Sequence, residues 1–241
     1  MIYKDFFNWI FPPKCLICSC EIIENSIFCP DCFSKVTIID YPFCKICGKM
    51  LETSFDDEMI CDTCLKYPRA FDKARSLFQY DDVSKKIIMK IKKQSDFAVA
   101  KSCSKMIISK YRDLFATADF ITPVPSHWTR VLKRGFNPAD IIAFSLSKIS
   151  GIPVRKFLKR IKQTQYQKNK SILERFENVE GAFDCKSDLA GANIILVDDV
   201  LTTGATLNEC SKVLKLHGCC QVYCITVGST PNLSFIQTNF L

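Results

Sequence analysis

One stretch of the chain indicates the fold more clearly than any other: IILVDDVLTTGAT, the run from Ile194 to Thr206. Its first four residues form a continuous apolar run, which is typical of a central parallel strand buried on both faces. The predicted strand ends at Val197, just ahead of two acids. A helix is predicted from Ala205 to His217, and Gly218 closes it. The stretch therefore predicts a strand, a turn and a helix, the repeating unit of α/β domains.

The turn carries the residues expected of a site for a sugar phosphate. Turns that follow parallel strands lie at the carboxyl edge of the sheet, where ligands bind, and N–H groups at a helix N-terminus favour a phosphate. Gly204 lets the backbone approach closely, and the two carboxylates suit ribose hydroxyls, met directly or through Mg²⁺. A plain helix cap explains one acid or one threonine, but not all of them in this order. The candidate binding residues are Val197, Asp198, Asp199, Thr202, Thr203, Gly204, Ala205 and Thr206.

Strands and helices alternate through most of the chain that follows the cysteine-rich start. Strands are predicted at residues 74–80, 119–124, 152–157 and 222–227, and helices at 83–115, with a break near 94–96, and at 137–149. Alternation of this kind favours an α/β domain with a doubly wound parallel sheet.

The first part of the chain contains paired cysteines instead. Nine of the 15 cysteines lie between Cys15 and Cys64, and eight of these nine form four Cys-x-x-Cys pairs. Two such pairs make a tetrahedral Cys₄ zinc site with no open position for water, so two structural zinc ions are expected. A thioredoxin-like redox motif needs one pair beside a βαβ unit, not four in a row. The predicted ligands are Cys15, Cys18, Cys29 and Cys32 in one site and Cys44, Cys47, Cys61 and Cys64 in the other.

Two features of the cysteine pairs stay open in the sequence. The spacing allows interleaved as well as consecutive pairing, and Cys20 is a spare thiol that is able to replace Cys18. The clustering itself argues against the evenly spread disulfides of a secreted protein and indicates a reducing compartment.

The cysteine pairs stop near Tyr67, so we expect a zinc module at residues 1–67 and the α/β domain at residues 68–241. The aromatic start, residues 1–13, has one basic residue, Lys4, and no small-residue cleavage site, so it is a poor signal peptide. It is expected to dock on the protein, with an interfacial membrane anchor as the alternative. Residues 1–70 carry 7 basic and 10 acidic side chains, whereas the rest carry 26 and 15. A basic domain attracts phosphates, on a small molecule or on nucleic acid. No apolar run approaches the ~20 residues that a membrane span needs.

The run from Ile194 to Thr206 resembles the phosphoribosyl pyrophosphate signature of type I phosphoribosyltransferases. Further segments resemble the ComF competence family, in which a double zinc ribbon precedes such a domain: FPPKCLIC at 11–18, PVPS at 123–126, KRGFNPA at 133–139 and GAF at 181–183. Single residues that also fit are Arg130, Arg160, Gln163, Thr164, Gln167, Arg175 and Asn178. The resemblance implies phosphoribosyl pyrophosphate as the ligand, bound with Mg²⁺.

The resemblance also implies roles outside the signature. Pro125 and Ser126 belong to the loop expected to hold the pyrophosphate. Three basic residues would neutralise the pyrophosphate oxygens, with a solvated basic helix face as the alternative. They are Arg130, Lys133 and Arg134. The candidate catalytic residues are Asp198, Asp199 and Arg130. Residues 159–180 would form a flexible hood that closes over the site.

Two other groups of side chains are assigned to the surface. His127, beside the pyrophosphate loop, is expected to be exposed, with a catalytic role as the alternative. The lysines at 85, 86, 90, 92 and 93 are expected on a solvated helix face, with contacts to nucleic-acid phosphates as the alternative.

Two functions of different classes follow from the resemblance. One is a phosphoribosyltransferase whose acceptor the sequence does not identify. The other is a non-enzymatic accessory protein that handles incoming single-stranded DNA in natural transformation, with the phosphoribosyl site as a sensor or a phosphate contact. Both imply a cytoplasmic protein, and a role with the competence machinery implies a position at the inner face of the membrane.

Overall fold

The computed structural model describes residues 12–23, 27–52, 59–162 and 171–231, so the predicted docking segment before Pro12 lies outside it. The elements in chain order are α1 (Pro30–Phe33), α2 (Asp62–Lys66), β1 (Lys73–Gln79), α3 (Asp82–Gln94), α4 (Phe97–Lys110), α5 (Arg112–Ala116), β2 (Phe120–Pro123), α6 (Trp128–Arg134), α7 (Pro138–Ser150), β3 (Leu158–Arg160), α8 (Ile172–Val179), β4 (Phe183–Cys185), β5 (Asn193–Leu201), α9 (Ala205–Leu216) and β6 (Gln221–Ser229). In this part of the chain, four strands form a parallel sheet with the order β1-β6-β5-β2.

Strand β5 lies between β6 and β2 and contributes core residues to both faces of the sheet. Ile195 and Val197 belong to the core formed with α3, α4 and α7, whereas Ile194 and Leu196 belong to the core formed with α9. Successive strand residues point to opposite faces, so a strand covered on both sides requires an unbroken apolar run. The predicted doubly wound α/β fold is confirmed.

The long helices begin and end at local signals in the sequence. At the start of α3, Asp81 Oδ1 accepts from the Ser84 N–H (2.7 Å) and Ser84 Oγ accepts from the Asp81 N–H (2.9 Å), which is a capping box. The helix ends at Ser95, whose φ of 51° is left-handed. Asp96 then caps α4 by accepting from the Val99 N–H (3.0 Å), and the predicted break near 94–96 is confirmed. None of the helices described is long and apolar enough to cross a membrane.

The predicted strand at residues 152–157 is wrong. These residues make one isolated bridge, between Val154 and Ile121. At this bridge the Arg155 N–H donates to the Ile121 carbonyl (2.9 Å). Pro153 has no N–H to donate, and Arg155 and Lys156 are exposed, so the pairing does not extend into a strand. The sequence also gave no sign of the antiparallel pair β3–β4, in which only three residues of each strand are paired.

The cysteine-rich region covers β1, the edge strand of the sheet. The Ile39 N–H donates to the Leu77 carbonyl (3.0 Å), and the Ala74 N–H donates to the Ile46 carbonyl (2.7 Å). Gly48 has a φ of 68° and lies so close to β1 that a Cβ atom would be 2.3 Å from the Ala74 carbonyl oxygen. An edge covered in this way is closed to pairing with another chain.

Candidate functional site

The two acids lie within β5 and not after it. Sequence analysis ended the strand at Val197, but β5 continues to Leu201. The reason is that β6 continues beside it and pairs Val200 with Gly228. Side chains alternate along a strand, so Asp198 and Asp199 point to opposite faces of the sheet. Both are partly buried.

Asp199 forms an ion pair with a helix that the sequence did not connect to the site. Its Oδ1 lies 3.0 Å from Nζ of Lys92 on α3, and the two side chains are only 19% and 23% exposed. The expectation of a solvated face is therefore wrong for Lys92. Periodicity places a lysine on a helix face, but only the packing of α3 on the sheet brings it to Asp199.

Asp198 is the more perturbed of the two acids. Burial, and then the charge of Asp199, raise the pKa of Asp198 to about 7. A hydrogen bond from the Asp199 N–H (2.8 Å) and the charges of Lys92 and Arg160 act in the opposite direction without cancelling this effect. Because the nearby cations and hydrogen bond do not offset the burial of its negative charge, the Asp198 carboxyl favours a cation or a hydroxyl donor as its partner.

The turn after β5 is closed by a left-handed glycine. Gly204, with φ of 80°, is the N-cap of α9, and the first N–H groups of a helix have no acceptor within it. The hydroxyl of Thr203 is buried and accepts from the Ala205 N–H (3.4 Å), so this side chain supports the turn. Thr202 is exposed and Thr206 partly buried, which leaves their hydroxyls the more accessible to a ligand.

The loop after β2 lies beside the same edge of the sheet. The Val124 N–H donates to the Val197 carbonyl (2.8 Å). Asn137, which is buried, donates from Nδ2 to the Val124 carbonyl (3.0 Å) and accepts at Oδ1 from Ser126 Oγ (2.8 Å). Pro125 and Ser126 line a cavity of about 440 Å³. Its other lining residues include Phe136, Asp140, Lys156 and Leu158. The loop after β2 thus begins beside β5, but the residues that line this cavity do not include those of the turn after β5.

Helix α6 presents a basic and partly apolar surface to solvent. Arg130, Lys133 and Arg134 are all exposed, which matches the solvated face that the sequence left as an alternative. Their role toward pyrophosphate stays a prediction. Trp128 on the same helix is 64% exposed and Leu132 is 73% exposed.

The expectation of an exposed His127 is wrong. The residue is only 7% exposed. Its Nδ1 accepts from the Thr129 N–H (3.4 Å), so the ring caps α6.

The ends of the predicted hood are anchored to the domain. Arg160 on β3 packs its guanidinium over the Phe183 ring (5.2 Å), and burial lowers its pKa. At the other end, the Gly181 N–H donates to Glu209 Oε1 on α9 (2.8 Å). Two of the residues that resemble the ComF family, Arg175 and Asn178, belong to α8. Three others lie outside the described residues, namely Gln163, Thr164 and Gln167.

Sequence analysis missed one cation at the turn, Arg69. A Cβ atom added at Gly204 would lie 3.4 Å from its Nη1. Arg69 is a single arginine between α2 and β1, with no motif or periodicity that connects it to a loop 135 residues further along. Only the placement of the cysteine-rich region on the sheet brings the two together.

The eight paired cysteines form two consecutive groups, and in each group the Sγ atoms lie within 4.8 Å of one another. The Sγ–Sγ distance is 3.7 Å between Cys18 and Cys29 and 3.6 Å between Cys47 and Cys61. These distances match the edge, about 3.8 Å, of a tetrahedron with Zn–S bonds of about 2.3 Å. The residues therefore fit zinc. The Sγ atom of Cys20 lies 3.3 Å from that of Cys18, beside the first group.

Comparison with known families divides the chain into two matched parts. A family model described as the double zinc ribbon domain matches residues 6–65. A second, described as the phosphoribosyl transferase domain, matches residues 98–232, more than half of the chain.

Relatives along nearly the whole chain carry names from DNA uptake and use. Competence protein F of Haemophilus influenzae is 31% identical over 225 residues, which cover 89% of this chain and 94% of that protein. Competence protein ComFC of Bacillus subtilis is 27% identical, with 85% and 89% covered. DNA utilization protein YhgH of Escherichia coli is 26% identical, with 89% and 96% covered.

Some solved structures are similar to part of this chain. Glutamine phosphoribosylpyrophosphate amidotransferase from B. subtilis is 18% identical with a TM-score of 0.40, and the match covers 58% of this chain and 30% of that chain. Purine phosphoribosyltransferase from Pyrococcus horikoshii is 21% identical with a TM-score of 0.35, and the match covers 53% and 70%.

Proposed function

This chain belongs to the competence protein F family, and from that premise we propose that it binds phosphoribosyl pyrophosphate with Mg²⁺ at the carboxyl end of β5. One observation carries the proposal. Asp198 and Asp199 lead directly into a glycine-capped helix N-terminus, at the sheet edge where the loop after β2 also lies. Carboxylates for a ribose or its cation and amides for a phosphate are the two things that this ligand needs.

The described residues fit each part of that ligand. The phosphate on the ribose would take the backbone N–H groups and hydroxyls of the turn, from Thr202 to Thr206. Asp198, whose pKa is raised to about 7, is suited to a ribose hydroxyl or a Mg²⁺-bound water. When bound, Mg²⁺ would supply charge neutralisation for the departing pyrophosphate. Pro125 and Ser126 would contact that group from the other side, with Arg130, Lys133 and Arg134 above it.

We also propose that both Cys₄ groups hold zinc and that the zinc is structural, because four thiolates leave no position for a substrate. The cysteine-rich region then works as a rigid cover on β1. Its function is to shape the domain that carries the site.

The names of the relatives support a role in the uptake or use of DNA, and we propose that this role is on the cytoplasmic side of the membrane. The protein would act there as a phosphoribosyltransferase or as an accessory that handles single-stranded DNA. One feature favours the second: Trp128, 64% exposed, lies on the same helix as Arg130, Lys133 and Arg134. An exposed aromatic ring among cations is a stacking surface for unpaired bases.

Titration calorimetry with phosphoribosyl pyrophosphate tests the proposed ligand. The wild type should bind it in Mg²⁺ and bind it at least about tenfold more weakly in chelator, because the cation bridges like charges. The double variant Asp198→Asn/Asp199→Asn should lose the Mg²⁺-dependent part. Asp113→Asn, at an exposed acid of α5, should behave as wild type. Equal binding by the wild type and the double variant would show that the ligand does not bind at the end of β5.

Release of pyrophosphate from the same mixtures separates the two functions. Release at a rate above that of the double variant identifies an enzyme. Binding without release, together with displacement of the ligand by single-stranded DNA, identifies the accessory role. That displacement should weaken as salt rises, because phosphate contacts release counterions.

A further inference from the structure

Arg69 is partly exposed, but two nitrogen atoms of its guanidinium group are buried and unpaired in the described structure. Its Nε and Nη1 atoms are inaccessible to solvent and have no hydrogen-bond partner. Among the residues that the structure describes, no carboxylate forms an ion pair with this guanidinium. Buried arginines are almost always paired, because a charge removed from water without a partner is costly. An anion that binds from solution would remove this cost.

Two contacts place the guanidinium against the turn after β5, and a backbone hydrogen bond of the next residue anchors the segment that carries it. A Cβ atom at Gly204 would lie 3.4 Å from Nη1 and 3.8 Å from Cζ. The guanidinium also lies over the Phe176 ring of α8 (5.1 Å), and that ring stacks on Tyr67 (5.8 Å between centroids). The next backbone N–H, of Ala70, donates to Asn208 Oδ1 in α9 (2.7 Å). Arg69 is therefore fixed both to the helix that the turn begins and to the predicted hood.

One other cation, Lys49, interacts electrostatically with Arg69. Lys49 is 7% exposed; burial, and to a smaller degree the charge of Arg69, lower its pKa, whereas the charges of Cys47, Cys61 and Cys64 act in the opposite direction. The guanidinium of Arg69 therefore adds positive charge beside Gly204, where the amides of α9 already favour an anion.

We propose that Arg69 is a phosphate-binding residue of the site, and that it donates to the phosphate of the sugar seated on the turn from Thr202 to Thr206. The inference rests on the proposed function and deepens it. It adds a guanidinium ligand from the segment that joins the cysteine-rich region to the sheet, five residues after Cys64. A guanidinium suits a phosphate because it donates two parallel N–H groups to two oxygens.

Ribose 5-phosphate is the probe for this assignment, because it carries the sugar phosphate without the pyrophosphate. Calorimetry should give an affinity for Arg69→Gln about 10- to 100-fold below wild type, the loss expected for one charged hydrogen-bonded contact. Arg69→Lys should recover part of it, since it restores the charge without the fork. Arg112→Gln, at an exposed arginine of α5, is the matched control and should leave the affinity unchanged.

Thermal unfolding separates a ligand role from a structural one. Phosphate should raise the unfolding temperature of wild type and not that of Arg69→Gln, whereas without phosphate the variant should be at least as stable as wild type. A purely structural arginine would instead lower stability with and without the anion. If Arg69→Gln does not fold, Arg69→Met takes its place in both measurements, because methionine keeps a long, uncharged side chain beside the Phe176 ring.

The outcomes distinguish this inference from the proposed function. If wild type binds ribose 5-phosphate and a folded, uncharged Arg69 variant binds it equally well, the assignment of Arg69 is wrong and the site on β5 stands. If wild type binds neither ribose 5-phosphate nor phosphoribosyl pyrophosphate, the site itself is wrong, and the assignment of Arg69 falls with it.

Discussion

The neighbouring acids of β5 differ in how their charge is compensated. Asp199 has Lys92 at 3.0 Å, whereas burial and the charge of Asp199 leave the pKa of Asp198 at about 7. One acid therefore has a cation beside it before a ligand arrives, whereas the pKa of the other lies near neutral pH. Binding of a cation or a cation-bound sugar would draw Asp198 into its charged form, so we expect ligand affinity to increase as pH rises through about 7.

The raised pKa of Asp198 also predicts a pH dependence of stability. An unfolded aspartate releases its proton near pH 4, whereas the folded chain retains this one to about pH 7. The contribution of Asp198 to the free energy of unfolding should therefore fall by about 1.4 kcal/mol per unit as pH rises between these values. Asp198→Asn should lack this fall, so the variant should gain stability relative to wild type from pH 5 to pH 7.

Urea denaturation at pH 5, 6 and 7 measures that difference. Asp113→Asn, at an exposed position, is expected to differ from wild type by the same amount at each pH. A stability difference between Asp198→Asn and wild type that stays constant with pH would show that Asp198 is ionised throughout.

At the scale of elements, the turn after β5 depends on one backbone conformation and on the space around it. Gly204 and Gly191 both have a φ of 80°. A Cβ atom at Gly204 would contact the Arg69 guanidinium and Leu201, whereas one at Gly191 would meet nothing within 4 Å. An alanine at either position would be strained by the same left-handed backbone conformation, but only Gly204 lies at the candidate site. The two glycines are therefore a matched pair.

Substitution of these glycines separates strain from binding. Gly204→Ala and Gly191→Ala should each lower the free energy of unfolding by about 1–2 kcal/mol, the cost of a left-handed alanine. Only Gly204→Ala should also weaken the binding of ribose 5-phosphate, because its methyl group occupies the anion side of the turn. Calorimetry on both variants makes the comparison. Equal affinity for the two would place the phosphate elsewhere.

Elements that follow from local patterns were predictable from the sequence. The apolar run of β5 and the break between α3 and α4 depend on neighbouring residues, and both predictions are confirmed. The extension of β5 through Asp199 was not predictable, since it depends on pairing with β6. The same holds for Lys92 and Arg69, which reach the site through the packing of α3 and of the cysteine-rich region.

At the scale of the whole molecule, the cysteine-rich region has two consequences for the α/β domain. It covers the edge strand β1 through hydrogen bonds such as that from the Ile39 N–H to the Leu77 carbonyl. It also fixes the start of the segment that carries Arg69, because Cys64 lies on α2 only five residues earlier. Folding of the zinc sites and completion of the phosphate site are therefore expected to be coupled.

Removal of the metal should reveal this coupling. A structural zinc site contributes about 10–16 kcal/mol to the folding of a small module, so a strong chelator should release two zinc ions per chain and unfold the cysteine-rich region. Circular dichroism should follow the unfolding, and the affinity for ribose 5-phosphate should fall in parallel and return when zinc is restored. Metal-free protein with an unchanged spectrum and unchanged affinity would contradict the coupling.

A crystal structure with phosphoribosyl pyrophosphate and Mn²⁺ in place of Mg²⁺ tests most directly where the ligand binds. We expect an anomalous Mn²⁺ signal on the side of the ribose that faces Asp198 and Asp199, with the sugar phosphate on the N–H groups from Thr202 to Thr206. Occupied ligand density confined to the basic surface of α6, with the end of β5 empty, would contradict the account.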